Sequence, residues 1–240
     1  MKFKKYYYSM SNSPYWINNE KKIVLIWSPK CACTTLHNAF IRNICKITEK
    51  KDPRIIANEY NFIKNNYEEI PKDFFIYMAV RKPFDRIVSC YFNKFVIYNG
   101  ERLNENNLEG FSKKLLKDIG VDYNNLTFNK MLYGIQKLMS KNVKINSHFD
   151  IQININNFNK IKNHPNLFLF DINNIPEILN TSFINVTKKP ANPIFEDLCN
   201  VKTKDINISS LLKENFINSL ELIKEIYIQD YQILNKILYN

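Results

Sequence analysis

The sequence predicts an α/β fold, with a central, mostly parallel β-sheet flanked by helices, and three observations carry that prediction. Residues 22–27 (KIVLIW), 74–80 (FFIYMAV) and 167–170 (LFLF) are short, nearly continuous apolar runs rich in β-branched and aromatic residues, as strands buried on both faces are. Helical patterns separate these runs, which implies right-handed crossovers between parallel strands. No internal repeat and no Gly/Ser/Pro linker divides the 240 residues, so a single domain over 1–240 is expected.

Taken in order, residues 1–20 start basic and continue through Tyr6, Tyr7, Tyr8 and a polar Ser/Asn stretch, without the apolar stretch a signal peptide needs. After the first strand a helix is expected from near Thr34 through Leu36, Phe40, Ile41 and Ile44. After the second, Pro83 suits the first helical position and turns Lys82 away from helical geometry, which marks the boundary. Phe84, Ile87, Val88, Tyr91, Phe92 and Phe95 then recur at helical spacing and form a core stripe, leaving Asp85, Arg86, Ser89 and Asn93 on the other side. The polar stretch 98–125 holds Gly100, Gly110 and Gly120, and reads as a loop-rich excursion with a short helix near 112–119. From 211 to 238 a helical pattern places Leu212, Phe216, Leu220, Ile223, Tyr227, Tyr231 and Leu234 on one apolar face.

Composition excludes several functions. With only four glycines, the fourth being Gly134, the chain can build neither a G-x-x-x-x-G-K-S/T phosphate loop nor a G-x-G-x-x-G dinucleotide turn. Hydrophobic residues at 45% and aromatics at 14% argue for a folded chain. Asparagine, about one residue in seven, and the N-x-S/T sequons at Asn125, Asn180, Asn185 and Asn207 read as coding bias. The five cysteines are scattered and odd in number, which fits a reduced setting, and Cys31 and Cys33 lack a second pair at zinc spacing, so no metal site is expected. No segment approaches a membrane span, and the expected location is cytoplasmic. Net charge is +11, but the basic residues are dispersed, which gives a specific nucleic-acid role little support.

In open parallel sheets ligands bind beyond the carboxyl ends of the strands. Two segments there have the chemistry of anion grips. The first, W-S-P-K-C-A-C-T-T-L over 27–36, offers Lys30, the hydroxyls of Thr34 and Thr35 and free N–H groups at a helix start, with Cys31, Ala32 and Cys33 small enough for close approach. An ordinary strand-to-helix turn capped by Thr34 fits the same residues. The second grip is Arg81 at the end of a strand, with Ser89 two turns up the following helix; a structural Arg81–Asp85 pair is the alternative.

Together, P-K-C-A-C-T-T-L and V-R-K-P-F-D-R-I-V-S-C-Y-F-N-K-F resemble the two cofactor motifs of sulfotransferases that use 3′-phosphoadenosine 5′-phosphosulfate (PAPS), above all the carbohydrate (Golgi-type) branch. Weaker likeness continues through T-F-N-K-M-L-Y-G-I, N-S-H-F-D-I-Q, N-L-F-L-F and I-Q-D-Y, and so spans most of the chain. Departures are Ser28 for the usual Ile or Val and Lys82 for the usual Asp, His or Asn. The resemblance implies a P-loop-like three-layer fold. It implies that Lys30, Cys31, Ala32, Cys33, Thr34 and Thr35 hold the 5′-phosphosulfate, and that Arg81 and Ser89 hold the 3′-phosphate. It further implies in-line sulfuryl transfer to an acceptor hydroxyl, on a carbohydrate or a small molecule, without a metal, with Lys30 stabilising the leaving oxygen.

A general base is needed, and three histidines are present. His37 lies inside the first helix and His164 in a polar turn; the resemblance implies a histidine near the acceptor site in the N-S-H-F-D-I-Q segment, which makes His148 the favoured base, with Glu59, Glu68 and Glu69 as substitutes because several relatives place the base between the two cofactor motifs. The sequence leaves two other functions open. A nucleotide kinase or NTPase would use Asp171 at the end of the third strand for magnesium, although Lys30 precedes Thr34 by four positions rather than one. A non-catalytic basic binding module would use the net charge alone.

Overall fold

The computed structural model describes residues 14–98, 100–172 and 216–238, together with the single positions 174, 176 and 179. The sequons at Asn180, Asn185 and Asn207, Cys199 and the expected helical residues 211–215 lie outside the described residues.

A five-stranded sheet runs β3–β1–β2–β4–β7, from β1 (Tyr15–Asn18), β2 (Ile23–Ile26), β3 (Ile63–Lys64), β4 (Phe75–Val80) and β7 (Leu167–Asp171). β2, β4 and β7 are the three apolar runs and pair in parallel, with Val24 opposite Ile76 and Met78 opposite Leu169. β1 turns back on β2 and pairs antiparallel with both β2 and β3. That antiparallel edge is absent from the sequence reading, which leaves residues 1–21 without a strand.

Alternation along the strands sorts the core into two layers. On one face Trp16, Leu25, Ala79 and Phe170 pack against Leu36, Phe40 and Ile41 of α1 (Cys33–Ala39) and its continuation, and against Ile56 of α2 (Pro53–Glu59). α1 runs directly into a wider π turn at Phe40–Ile44, closed by a Cys45 N–H to Phe40 carbonyl bond of 2.9 Å. On the other face Ile17, Val24, Ile26, Met78 and Val80 meet Tyr67, Phe74, Ile161 and Leu234. Helices thus cover both faces of the sheet, as expected.

A third cluster forms around α3 (Pro83–Tyr91), α4 (Gly110–Ile119), α5 (Phe128–Ser140) and α8 (Phe216–Ile226). The predicted stripe on α3 is largely right: Ile87, Val88, Tyr91 and Phe95 are buried and Phe84 and Phe92 pack against them. Between α3 and α4 a two-stranded hairpin, β5 (Ile97–Tyr98) with β6 (Glu101–Arg102), replaces part of the predicted loop. Gly134 gives α5 room to pack on the end of α4, since a Cβ there would stand 2.5 Å from Ile119 Cβ. Two short helices, α6 (Gln152–Ile155) and α7 (Phe158–Ile161), precede β7.

The terminal pattern breaks at Tyr227 into α8 and α9 (Ile228–Leu238), and its buried face differs from the predicted one. Ser219, Leu222, Ile223, Ile226, Tyr227, Asp230 and Leu234 are buried, whereas Tyr231 only packs partly against the core. Two polar side chains enter the core face because each meets a polar partner there: Ser219 donates to Asn129, and Asp230 accepts from Gln152.

Candidate active site

Both predicted grips lie at the carboxyl ends of adjacent parallel strands. The segment after β2 turns tightly through Ser28–Cys31, closed by a 3.1 Å bond from Cys31 N–H to the Ser28 carbonyl. Lys30 and Ala32 both adopt left-handed backbone, at φ 69° and 53°, a conformation that glycine takes without penalty. α1 begins at Cys33 rather than Thr34, with Ala32 as its N-cap and no side chain capping it. Thr34 is therefore inside the helix and is not the cap. The first intrahelical bond is Leu36 N–H to the Ala32 carbonyl at 3.0 Å, so the N–H groups of Cys33, Thr34 and Thr35 point out of the helix start without intrahelical partners. Neither threonine hydroxyl is engaged among the described residues, and Thr34 is exposed. Cys31 faces the other way: fully buried, its thiol meets Ser28 Oγ and Gln152 Oε1, both at 3.1 Å.

Arg81 follows β4 and reaches across to the first loop, where its guanidinium donates to the Lys30 carbonyl at 2.9 Å. It forms no ion pair with Asp85 among the described residues. Ser89 is half-buried on α3, and its hydroxyl has no partner among the described residues. Burial, and after it the charges of Lys94 and Arg81, hold the Lys30 ammonium below its ordinary value, while Cys90 and Cys33 act in the opposite sense. Lys94, missed by the sequence reading, is 7% exposed, pairs with Glu109 at 2.8 Å, and lies 5.1 Å from the Phe111 ring centre and 5.3 Å from that of Tyr98. Lys30, Arg81 and Lys94 thus concentrate positive charge at one end of the sheet.

His148 belongs to the same region. Its imidazole stacks on Phe111, with ring centres 4.9 Å apart and planes 10° from parallel. Asn146 Oδ1 accepts the His148 backbone N–H at 3.0 Å and lies 2.7 Å from Nδ1. An oxygen that already accepts a backbone N–H requires a donor at Nδ1, so the proton sits there and Nε2 keeps its lone pair. Burial, followed by Lys94, Lys30 and Arg86, pushes the ring down to about 3. The other candidates lie elsewhere. His37 is buried between Trp16 and Trp27, stacked on the first at 4.2 Å, and burial pushes it to about 3 as well. His164 contacts the Pro71 carbonyl at the surface. Glu59 pairs with Lys51 and Glu68 with Lys160, while Glu69 accepts from Asn66, all on exposed surface.

Arg86 corrects the sequence reading. Expected on the polar side of α3 with Asp85 and Ser89, it is fully buried. Its guanidinium donates to the carbonyls of His148, at 3.2 Å, and Asp150, and lies 5.6 Å from the Tyr227 ring centre. The 146–152 segment folds over that side of the helix, so Arg86 fixes the backbone that carries His148. Tyr227 adds a 2.6 Å bond to the Phe149 carbonyl.

A family model described as the sulfotransferase family matches residues 13–239. The chain belongs to the sulfotransferase family. No curated protein and no solved structure matches it. Membership makes this sulfotransferase a transferase of sulfuryl groups, on the P-loop-like fold seen above, and the kinase and non-catalytic readings give way to it. Among the described residues no helix is long and apolar enough to cross a membrane.

Proposed function

We propose that this sulfotransferase moves the sulfuryl group of PAPS to an acceptor hydroxyl, and that the acceptor is a carbohydrate. One observation carries the reading: the Lys30 loop and Arg81 stand at neighbouring strand ends, tied by the 2.9 Å Arg81–Lys30 bond, as two adjacent cationic grips. The residues fit a ligand with phosphate chemistry at both ends of a ribose. The N–H groups of Cys33, Thr34 and Thr35, which lack intrahelical partners, the free threonine hydroxyls and Lys30 suit the 5′ end, with Ala32 supplying the turn. The guanidinium donors of Arg81 left over from Lys30, together with Ser89, suit the 3′-phosphate. Cys31 serves the loop from beneath, because its thiol and its N–H are both already engaged.

When bound, PAPS supplies the sulfuryl group, which passes in line to the acceptor oxygen as its bond to the 5′-phosphate oxygen breaks. Lys30 and the N–H groups at the start of α1 stabilise the negative charge left on that phosphate oxygen. His148 Nε2 takes the acceptor's proton, and Asn146 holds Nδ1 in the tautomer that permits it. Burial is the largest cause of the depressed His148, followed by Lys94 and then Lys30; a bound anion offsets the charge of Lys30 and so acts to raise the basicity of the ring. The charge surplus of +11 suits an anionic glycan acceptor.

The test is transfer of labelled sulfate from PAPS to a panel of glycans and small hydroxyl compounds in the presence of a metal chelator. Product is expected with wild type, and His148→Ala should lower turnover by at least about tenfold, the low end for loss of a general base. Unchanged turnover in that variant would remove His148 from the mechanism. Absence of transfer to every acceptor, together with no binding of the product 3′-phosphoadenosine 5′-phosphate (PAP), would overturn the cofactor reading.

A further inference from the structure

A buried polar strut connects the last helix to both grips. α6 starts at Gln152 without a cap of its own, since Ile151 at the N-cap offers no side-chain acceptor. The Asp230 carboxylate of α9 fills that role from a distance of 78 residues in sequence: Oδ2 accepts the Gln152 backbone N–H at 3.0 Å and Oδ1 accepts that of Ile153 at 3.1 Å. Oδ2 also receives the Gln152 side-chain amide at 3.3 Å. The rest of that amide is spent on the two strand ends. Its Nε2 donates to the Arg81 carbonyl at 2.8 Å and its Oε1 accepts the Arg81 N–H at 3.0 Å, so the side chain docks on the Arg81 backbone as another strand would. The same Oε1 accepts the Cys31 thiol at 3.1 Å, which ties in the loop after β2. Gln152 and Asp230 are each 2% exposed. A buried amide with donor and acceptor both engaged has a single orientation, since flipping it would set Nε2 against the Arg81 N–H and Oε1 against both the Arg81 carbonyl and Asp230.

We infer that Gln152, seated on Asp230, is the positioning residue that sets the spacing between the Lys30 loop and Arg81, and thereby the affinity for a ligand with two separated phosphate groups. The inference rests on the cofactor reading above. Gln152 touches neither phosphate; it acts through the Arg81 backbone and Cys31. The spacing between the phosphates is a property of the ligand, so a grip displaced by a fraction of an ångström loses contacts that no side-chain rotation restores.

Asp230→Asn separates this role from a simple effect of charge. The substitution keeps the shape and removes a buried negative charge, which on Coulomb grounds alone would tighten binding of an anion. It also leaves one oxygen where two were needed, turning an NH2 toward donors that now lack an acceptor. If the strut positions the grips, calorimetry will show PAP affinity falling by at least about fivefold in Asp230→Asn, the effect of one buried hydrogen bond lost. Gln152→Met, neutral and similar in volume, should weaken PAP to at least the same degree. Unchanged or tighter PAP binding in folded Asp230→Asn overturns the inference. Should a variant fail to fold, the wild-type protein decides: the Gln152 side-chain amide resonances are expected to shift when PAP is added, and their invariance overturns the inference equally. Wild type and Arg81→Ala serve as controls. If these two bind PAP alike, the cofactor reading itself has failed; if Arg81→Ala is weakened while Asp230→Asn is not, only the strut has failed.

Discussion

Protonation of His148 can be tested apart from any substrate. Burial, reinforced by Lys94, Lys30 and Arg86, places its imidazole at about 3, against about 6.5 for an unperturbed histidine. The unfolded chain therefore takes up a proton near pH 6.5 that the folded protein refuses until about pH 3. Since the unfolded state binds more protons across that window, this contribution to stability is fully present above about pH 6.5 and is lost as the pH falls toward 3. The whole difference corresponds to about 5 kcal/mol, of which about 2 kcal/mol is reached at about pH 5. His148 is only half-buried as a residue, and solvent screening lowers the figure to about 1–2 kcal/mol. His148→Gln removes the titrating group and keeps a polar side chain. Urea unfolding of both proteins at about pH 7.5 and about pH 5 should show wild type losing about 1–2 kcal/mol more than the variant. Equal losses would refute the reasoning, because the imidazole would then titrate in the folded protein as it does in the unfolded chain, and burial would not be holding it neutral.

Three further substitutions probe the geometry around the site. Ala32→Gly relieves the left-handed backbone at φ 53° and should raise unfolding stability by about 0.5–1 kcal/mol while leaving PAP affinity intact; chemical denaturation and calorimetry measure the two. Gly134→Ala drives a methyl group to 2.5 Å from Ile119 Cβ, so a loss of about 1–2 kcal/mol in thermal or urea unfolding is expected despite alanine's better helix propensity. Arg86→Ala leaves the His148 and Asp150 carbonyls without their donor and opens a cavity under Tyr227. Stability should fall by at least about 3 kcal/mol, visible as a lower urea midpoint, and an unchanged midpoint would contradict the anchoring role.

What was legible in the sequence follows from how far each signal extends along the chain. β2, β4 and β7 stand out because strands buried on both faces must be apolar throughout, and the sharp boundary at Pro83 identified α3 from local geometry alone. Lys30 and Arg81 were legible as strand-end cations, although only the structure joins them by a hydrogen bond. β1 was hidden because one of its four residues, Asn18, is polar and buried, its side-chain carbonyl serving the turn through the Lys21 N–H. Arg86, Gln152 and Asp230 escaped for a shared reason. Each is a polar residue buried by a partner 60 to 80 positions away, such as His148 for Arg86 and Asp230 for Gln152, and no window of local periodicity contains both members. The rotated face of α8 and α9 has the same origin, because helix pattern counts polar residues as exposed whether or not a distant partner awaits them.

The central claim, two anion grips for the two ends of one nucleotide, is tested most directly by comparing PAP with adenosine 5′-monophosphate, which lacks the 3′-phosphate, by calorimetry in the presence of chelator. Wild type should prefer PAP by at least about 100-fold, the effect of two charge-assisted hydrogen bonds. Arg81→Ala should lose most of that preference, and Lys30→Ala should weaken both ligands while preserving it. Equal affinity of wild type for the two nucleotides, or an Arg81→Ala variant that keeps the full preference, would contradict the account.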